Sequence, residues 1–298
     1  MTQNPERKGE VLIFFEVLIW AFFPIITVFS YVAIPSLVSL LFATIFSGIF
    51  FLAITAYKGT WKELMNPLLW KYAALATFFI AICFYSLYFV GLTKTTPGNA
   101  SIIALFEVFT SFLFFNVFKG QKISTNRKLG ALLVILGACI VLLPNMKGIN
   151  AGDFYILTAT FFAPAGNYFT QKARKFATSE NILFLRSLIA IPFLYILTLM
   201  LHMHASASDI RSSFIFLAIN GFIIFGLSKL LWVETIHYIS VTKAIALSST
   251  GPLLTLLLSW AFLHQMPNVW QIGAVIPMIF GVLLLTDQLV LLRENSSV

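Results

Sequence analysis

The chain has 298 residues, of which 59% are hydrophobic and only 10% are charged, and its mean hydropathy is +0.93. Soluble globular proteins carry about a quarter charged residues, so this composition excludes a soluble protein and predicts an all-α membrane protein with many spans. The net charge of +8 does not indicate nucleic-acid binding, because the basic residues lie mostly in short links between apolar segments.

Ten apolar stretches are long enough to cross a membrane as helices, since about 20 residues span the hydrocarbon. The predicted spans, in chain order, are 9–29, 35–57, 67–92, 96–118, 126–145, 151–173, 179–202, 212–236, 242–263 and 268–290. Five prolines fall inside these spans, where we expect packing kinks more often than unwound binding sites. They are Pro24, Pro164, Pro192, Pro252 and Pro277.

The first span contains a carboxylate, Glu16, in an otherwise apolar run. A carboxylate at the bilayer centre costs at least about 2.5–3.5 kcal/mol, so such groups usually face a protein interior or a wet cavity. Trp20 follows one turn later on the same helix face. Together they could offer a charge and an aromatic wall to a cationic or zwitterionic solute; the alternative is a structural Glu and an interfacial Trp. Because Glu16 interrupts the run, we expect a retained helix and not a cleaved signal peptide.

Glu107 interrupts the fourth span in the same way and is a candidate for a substrate or proton path. The alternative is a structural carboxyl that is protonated or hydrogen-bonded between helices. Tyr85 and Tyr88 of the third span are candidate cavity walls, although helix packing also suits such aromatics. We expect Glu16, Trp20 and Glu107 to face one cavity, where two carboxylates would resist double ionisation and let a proton alternate with a cationic solute group.

The sixth and eighth spans add polar and aromatic candidates. Asn167 and Tyr168 follow Pro164, so this segment could open locally and expose hydrogen-bonding groups. Trp232 is a further candidate wall of the cavity. His237 is a candidate proton relay, and the alternative for it is a packed or interfacial side chain.

Three charged residues in the later spans allow more than one interpretation. Arg186 could bind an anionic solute group, pair with a carboxylate, or extend to the membrane surface. Lys229 is five residues before Glu234 and is poorly placed to pair with it on one helix, so it could reach another helix or the inner surface instead.

The distribution of basic residues predicts the orientation of the chain. Links on one side hold most of the Lys and Arg residues, whereas those on the other side hold only Lys94, Lys147 and Arg211. Cytoplasmic loops are enriched in Lys and Arg, so we predict an inner-membrane protein with both termini in the cytoplasm. A cysteine near Lys147 should then react with an impermeant reagent from outside, and one near Lys122 should not.

The two halves of the sequence resemble each other. Ala100 aligns with Ala244, Gln121 with Gln265, and Gly137 with Gly281, each pair at the same spacing. The repeats would comprise residues 1–148 and 149–298, with five spans each. Since five is odd, equivalent spans must cross in opposite directions, an arrangement that many secondary transporters use.

These features resemble the drug/metabolite transporter superfamily, specifically its EamA family, over nearly the whole chain. The resemblance rests on a loose pattern of residues in the first half: Tyr88, Gly91, Leu92, Ala100, Glu107, Gly120, Gln121, Gly130 and Gly137. It implies a small-metabolite carrier, often an exporter, driven by ion or solute gradients. The chain departs from the family in having Val108 where proline is frequent, and Gln121 and Gln265 where glutamate is frequent.

The resulting hypothesis is a secondary active transporter, with export favoured, for a small polar metabolite such as an amino acid. Protons are the candidate coupling ion. The first alternative is an uptake or exchange carrier for a cationic or nucleoside-like metabolite. The second is an intramembrane enzyme or receptor, but the sequence lacks a nucleotide-binding loop, a metal-ligand spacing and a nucleophile elbow. We therefore expect no enzymatic activity, no cofactor and no metal.

Overall fold

The computed structural model describes residues 5–117, 124–142 and 150–289, and in these ranges the chain is helical apart from turns and short links. Eight helices are long and apolar enough to cross a membrane, so the protein is a multi-pass membrane protein. They are α1 (Pro5–Ser30), α2 (Ser36–Lys58), α3 (Pro67–Leu92), α4 (Pro97–Phe115), α5 (Thr125–Leu142), α8 (Ser179–Met200), α9 (Ala207–Tyr238) and α10 (Lys243–Leu263).

Three shorter α-helices and a 3-10 helix at Trp61–Met65 complete the described chain. The α-helices are α6 (Ala151–Thr160), α7 (Ala163–Ala173) and the apolar α11 (Val269–Leu285). The predicted count of ten spans is not confirmed, because the segment of α6 and α7 is not among the eight helices long and apolar enough to cross, and α11 has only 17 residues. Residues 5–142 are called the first half below, and residues 150–289 the second half.

Polar caps determine where several helices begin. Thr96 precedes α4, and its hydroxyl accepts a hydrogen bond from the backbone N–H of Asn99 at 3.1 Å. Asn268 precedes α11 and forms a reciprocal capping box with Gln271. Such caps satisfy N–H groups that have no partner within the helix.

Three of the five internal prolines lie beside short gaps in the helical hydrogen bonding, which are called breaks below. A turn interrupts α1 at residues 21–22, and another interrupts α10 at residues 249–250; new helical segments start with Pro24 and Pro252 in their first turns. Pro164 has the same position at the start of α7. Pro192 and Pro277, in contrast, lie inside continuous helices. Phe22, Phe162 and Thr250, which precede the three new segments, keep right-handed helical backbone angles, so the three gaps are kinks of the kind expected at proline.

Two hydrogen bonds join the halves close to these breaks. Pro164 has no N–H, so the carbonyl of Thr160 lacks its usual helical donor; the hydroxyl of Thr110 in α4 donates to it at 2.7 Å. In a similar arrangement, Thr255 of α10 donates to the carbonyl of Ala21 at 3.0 Å, at the break in α1. The fourth helix of the first half thus contacts a break in the second half, and α10 contacts a break in the first.

Glycines bring α5 of the first half and α11 of the second into close backbone contact. A Cβ atom on Gly130 would lie 2.7 Å from the carbonyl oxygen of Gly281, and one on Gly137 would lie 2.8 Å from the carbonyl oxygen of Ala274. Small residues permit such contact between membrane helices, whose association depends on close packing. The glycine spacing that the sequence shows in each half therefore has a packing role.

Candidate functional site

A cavity of about 130 Å³ lies between the helices of the two halves, beside the breaks in α1 and α10. The first half contributes α1, α3 and α4, and the second contributes α7, α8, α9 and α10. Seven of the nine side chains predicted from the sequence line this cavity: Glu16, Trp20, Tyr85, Tyr88, Glu107, Asn167 and Trp232. The expectation that Glu16, Trp20 and Glu107 face one cavity thus agrees with their positions.

Glu16 and Trp20 surround a cation that belongs to the protein itself. The Nζ atom of Lys229 lies 3.6 Å from Oε1 of Glu16 and 3.2 Å from the centroid of the Trp20 ring. The hydroxyl of Ser228 donates to the same Glu16 oxygen at 3.0 Å. Ion pairing and a cation–π contact both strengthen away from water, and the side chains of Glu16 and Lys229 are only 3% and 13% exposed. The carboxylate and aromatic ring expected to receive a solute therefore hold Lys229.

Glu107 is held by an amide and not by a cation. The Nδ2 atom of Asn167 donates to Oε1 of Glu107 at 3.0 Å, and the indole N–H of Trp232 donates to Oδ1 of Asn167 at 3.2 Å. This chain joins α4, α7 and α9, and it fixes Asn167 with its amide nitrogen toward the carboxyl group. Glu107 has no ion-pair partner among the described residues.

Aromatic rings form one wall of the cavity. The side chains of Tyr85 and Tyr88 are 4% and 2% exposed. Phe23 packs against Tyr88 with ring centroids 5.1 Å apart, and Phe225 packs against Tyr85 at 4.6 Å. These contacts give the wall a fixed shape, since packed aromatic rings have few alternative rotamers.

Arg186 of α8 lines the same cavity, and none of the described residues pairs with it. It is 7% exposed, and its buried Nε atom has no hydrogen-bond acceptor among the described residues. A second cavity of about 30 Å³ adjoins Arg186, Tyr85 and Lys229, and its wall includes three hydroxyl-bearing side chains, Thr44, Ser47 and Ser187. Of the three interpretations that the sequence allowed, pairing with a carboxylate is therefore wrong, and burial also excludes extension to the surface.

Tyr168 and His237 do not line the cavity, so the structure corrects their predicted placement. Tyr168 packs against Phe114 and Phe115, because successive residues of a helix point about 100° apart and Asn167 takes the cavity side. His237 is exposed and contacts the ring of Tyr238. In uniformly apolar spans, the sequence does not reveal which face is turned inward.

Lys229 was not among the predicted site residues, although the cost of a charge within an apolar span applies to it as it does to Glu16. Because the side chain of lysine is long and flexible, Lys229 could also have extended to the membrane surface. Small side chains of α10, including Ser248 and Thr255, also line the cavity. The sequence does not identify them as site residues, because serine and threonine are common wherever membrane helices contact each other.

Comparisons with known proteins confirm the resemblance seen in the sequence. The model of the EamA-like transporter family matches residues 7–143 and, a second time, residues 150–287. A solved crystal structure is similar over 95% of this chain and 98% of its own length, with a TM-score of 0.68 and 15% sequence identity, which shows a shared fold. None of the curated proteins matches the chain.

Proposed function

Because the chain belongs to the EamA-like transporter family, we propose that it is a secondary active transporter of a small polar metabolite such as an amino acid. Export is the favoured direction, and the cavity opens alternately to the two sides of the membrane. The observation that carries this proposal is the cavity of about 130 Å³ between the halves, with ionisable side chains of both signs in its wall.

The charges of the cavity favour a solute that carries both signs. Two acidic side chains, Glu16 and Glu107, face two basic ones, Lys229 and Arg186. The pairing of Glu16 with Lys229 leaves Glu107 and Arg186 as separate poles. A zwitterion such as an amino acid complements these poles without adding net charge to a site of low dielectric. A net cation would leave Arg186 uncompensated, so the cationic alternative has less support.

In this proposal Glu107 receives the ammonium group of the solute. Asn167 and Trp232 hold the carboxyl group in place, and Tyr85 and Tyr88 provide the apolar wall. A proton that binds Glu107 when the solute leaves would couple transport to a proton gradient. Glu16 and Trp20 hold Lys229 and do not receive the solute, which revises the role first predicted for them.

The proposed topology has ten crossings in two inverted repeats, residues 1–148 and 149–298. In it α6 and α7 together form one crossing and α11 forms another. Both termini lie on the cytoplasmic side of the inner membrane. Basic residues at one end of the bundle support this orientation: Lys58 pairs there with Glu180 at 2.9 Å, and Lys243 pairs with Glu10 at 2.6 Å.

Counterflow in sealed proteoliposomes tests the proposed function. Vesicles loaded with one unlabelled amino acid at a time are placed in a trace of the same labelled compound. We expect transient accumulation of label for at least one member of the panel, and none in vesicles without protein. Failure of every amino acid to accumulate, with accumulation of choline or a nucleoside instead, would replace the proposed substrate class. Chemical conversion of a solute without its movement would indicate an enzyme.

A further inference from the structure

We propose that Arg186 and the hydroxyl group of Tyr85 form an anion-binding subsite where the main cavity meets the smaller one. Its ligand is a small monoanionic group, either a carboxylate on the transported solute or a free small anion. The first of these sources rests on the proposed function, whereas the second does not.

Arg186 is the most buried cationic side chain of the residues that the structure describes, and none of them pairs with it. Lys229 pairs with Glu16, and Arg174 pairs with Glu234 at 2.8 Å. Arg186 is more buried than either of them, yet no described residue accepts a hydrogen bond from its Nε atom. A buried charge without a partner is costly, and a guanidinium group presents its donors in a planar fork that matches a carboxylate.

The neighbouring hydroxyl groups show which donors remain for a ligand. Thr44 donates to the carbonyl of Leu40 at 2.8 Å, and Ser47 donates to the carbonyl of Phe225 at 3.2 Å. The hydroxyl of Ser187 is hydrogen-bonded to that of Ser47 at 3.4 Å, so these three hydroxyls are already used. The hydroxyl of Tyr85 donates to no described residue, and its ring lines both the main cavity and the smaller one. The free donors at this junction therefore belong to Arg186 and Tyr85.

Lys229 does not compete for the same anion. Its ammonium group already lies against Glu16 and the face of Trp20. An anion beside Arg186 would still gain from the positive charge of Lys229, since that residue also borders the smaller cavity. The subsite thus has one free fork of donors, one free hydroxyl and a second positive charge nearby.

Thermal unfolding of the purified full-length protein in chloride-free detergent solution tests the subsite. Three matched series are titrated: alanine, leucine and phenylalanine, each with its amide and with the amine that lacks the carboxyl group. Sodium chloride and sodium acetate are titrated separately. The variants are Arg186→Gln, Arg186→Lys and Tyr85→Phe. Arg211→Gln is the matched control, because Arg211 is exposed and outside the cavity.

For the wild type and the control we expect a carboxylate or a free anion to raise the unfolding temperature. Each amino acid that raises the unfolding temperature should bind at least about tenfold more tightly than its amide. The amide lacks the negative charge and so loses one charge-assisted hydrogen bond. Arg186→Gln should remove this difference, and Tyr85→Phe should reduce it. Stabilisation by amino acids alone would identify the solute as the source of the anion. Stabilisation by chloride or acetate alone would identify a free anion.

Two results together would overturn the proposal. Amino acids and their amides would stabilise the wild type equally, and chloride and acetate would give no stabilisation that depends on Arg186. The absence of any stabilisation in the wild type would also overturn it. If Arg186→Gln does not fold, Arg186→Lys tests the subsite instead. Lysine keeps the positive charge but lacks the planar fork of guanidinium donors, so we expect a weaker preference for the amino acid over its amide. Counterflow of the same proteins separates the two proposals: anion-dependent stabilisation without transport removes only the proposed function, and transport without a carboxylate preference removes only the subsite.

Discussion

Lys229 is the single residue that most changes how the cavity is understood. Its ammonium group lies between Glu16 and Trp20, with both side chains of the ion pair largely buried. Removal of one partner from a buried pair leaves an uncompensated charge, which costs about 3–5 kcal/mol. We therefore predict that Lys229→Met lowers the unfolding temperature strongly, whereas the double variant Glu16→Gln/Lys229→Met unfolds closer to the wild type. Additive losses in this thermal-unfolding cycle would show that the two residues do not stabilise each other.

The sequence identifies much of the cavity wall at this scale, for a physical reason. Glu16 and Glu107 are exceptional because carboxylates are costly within a membrane, and that cost points to a protein-lined interior wherever they occur. Their partners are less predictable. Nothing in the local sequence shows that Asn167 reaches Glu107 from another helix, or that Lys229 turns toward α1 and not toward the surface.

Helix breaks are the main feature at the scale of elements. Turns at Pro24 and Pro252 interrupt α1 and α10, and a turn before Pro164 separates α6 from α7. The hydrogen bonding also widens to π-helical turns in α3 and α9, at residues 77–84 and 219–228. Such irregular turns often occur at functional sites. The sequence contains the prolines, but it does not show whether the freed carbonyls find donors, because neighbouring helices supply those donors.

Thr110 provides a test of this explanation. Thr110→Val keeps the shape of the side chain and removes the donor to the Thr160 carbonyl. It should destabilise the protein by about 0.6 kcal/mol, the average for interhelical hydrogen bonds in membranes, and by at most about 1.7 kcal/mol. Pro164→Ala restores a backbone N–H that can serve the same carbonyl. Thr110→Val should therefore lower the unfolding temperature less in a Pro164→Ala background. An equal loss in both backgrounds would mean that the Thr110 hydrogen bond has another role.

Packing between α5 and α11 determines how the two halves of the molecule join. A Cβ atom on Gly130 would lie 2.7 Å from a backbone oxygen of α11, whereas one on Gly273 would meet its nearest neighbour, Ile140, at 3.8 Å. We predict that Gly130→Ala lowers the unfolding temperature and the yield of monodisperse protein, with a cost of about 1–3 kcal/mol from overpacking. Gly273→Ala should be neutral or slightly stabilising, since alanine favours a helix. Similar effects of the two substitutions would rule out this packing role.

The orientation of the whole molecule can be tested by cysteine labelling. Lys122 and Lys147, the positions first considered, lie outside the described residues, so we choose Lys62 and His204, which are exposed in links at opposite ends of the bundle. In a background without Cys83 and Cys139, His204→Cys should react with an impermeant maleimide on intact cells. Lys62→Cys should react only after permeabilisation. The reverse pattern would place the termini outside.

At this scale the sequence predicts the family and the twofold repeat, because both depend on patterns that extend over the whole chain. It predicts the number of crossings less well. The segment 151–173 has enough residues for one span, but it is not among the eight helices that are long and apolar enough to cross, and α11 has only 17 residues. Polar residues such as Asp153, Asn167 and Gln171 lower the hydropathy of that segment.

The most direct test of transport through the cavity is proteoliposome counterflow by Glu107→Gln across a range of pH. Glutamine keeps an oxygen that can accept the hydrogen bond from Asn167, so the variant should insert and fold like the wild type. We predict that counterflow falls at least about tenfold, since the charge for the solute ammonium is lost, and that the remaining activity no longer depends on the protonation of this residue. The surface variant Glu10→Gln should transport normally. Full counterflow by Glu107→Gln over the whole pH range would contradict the account.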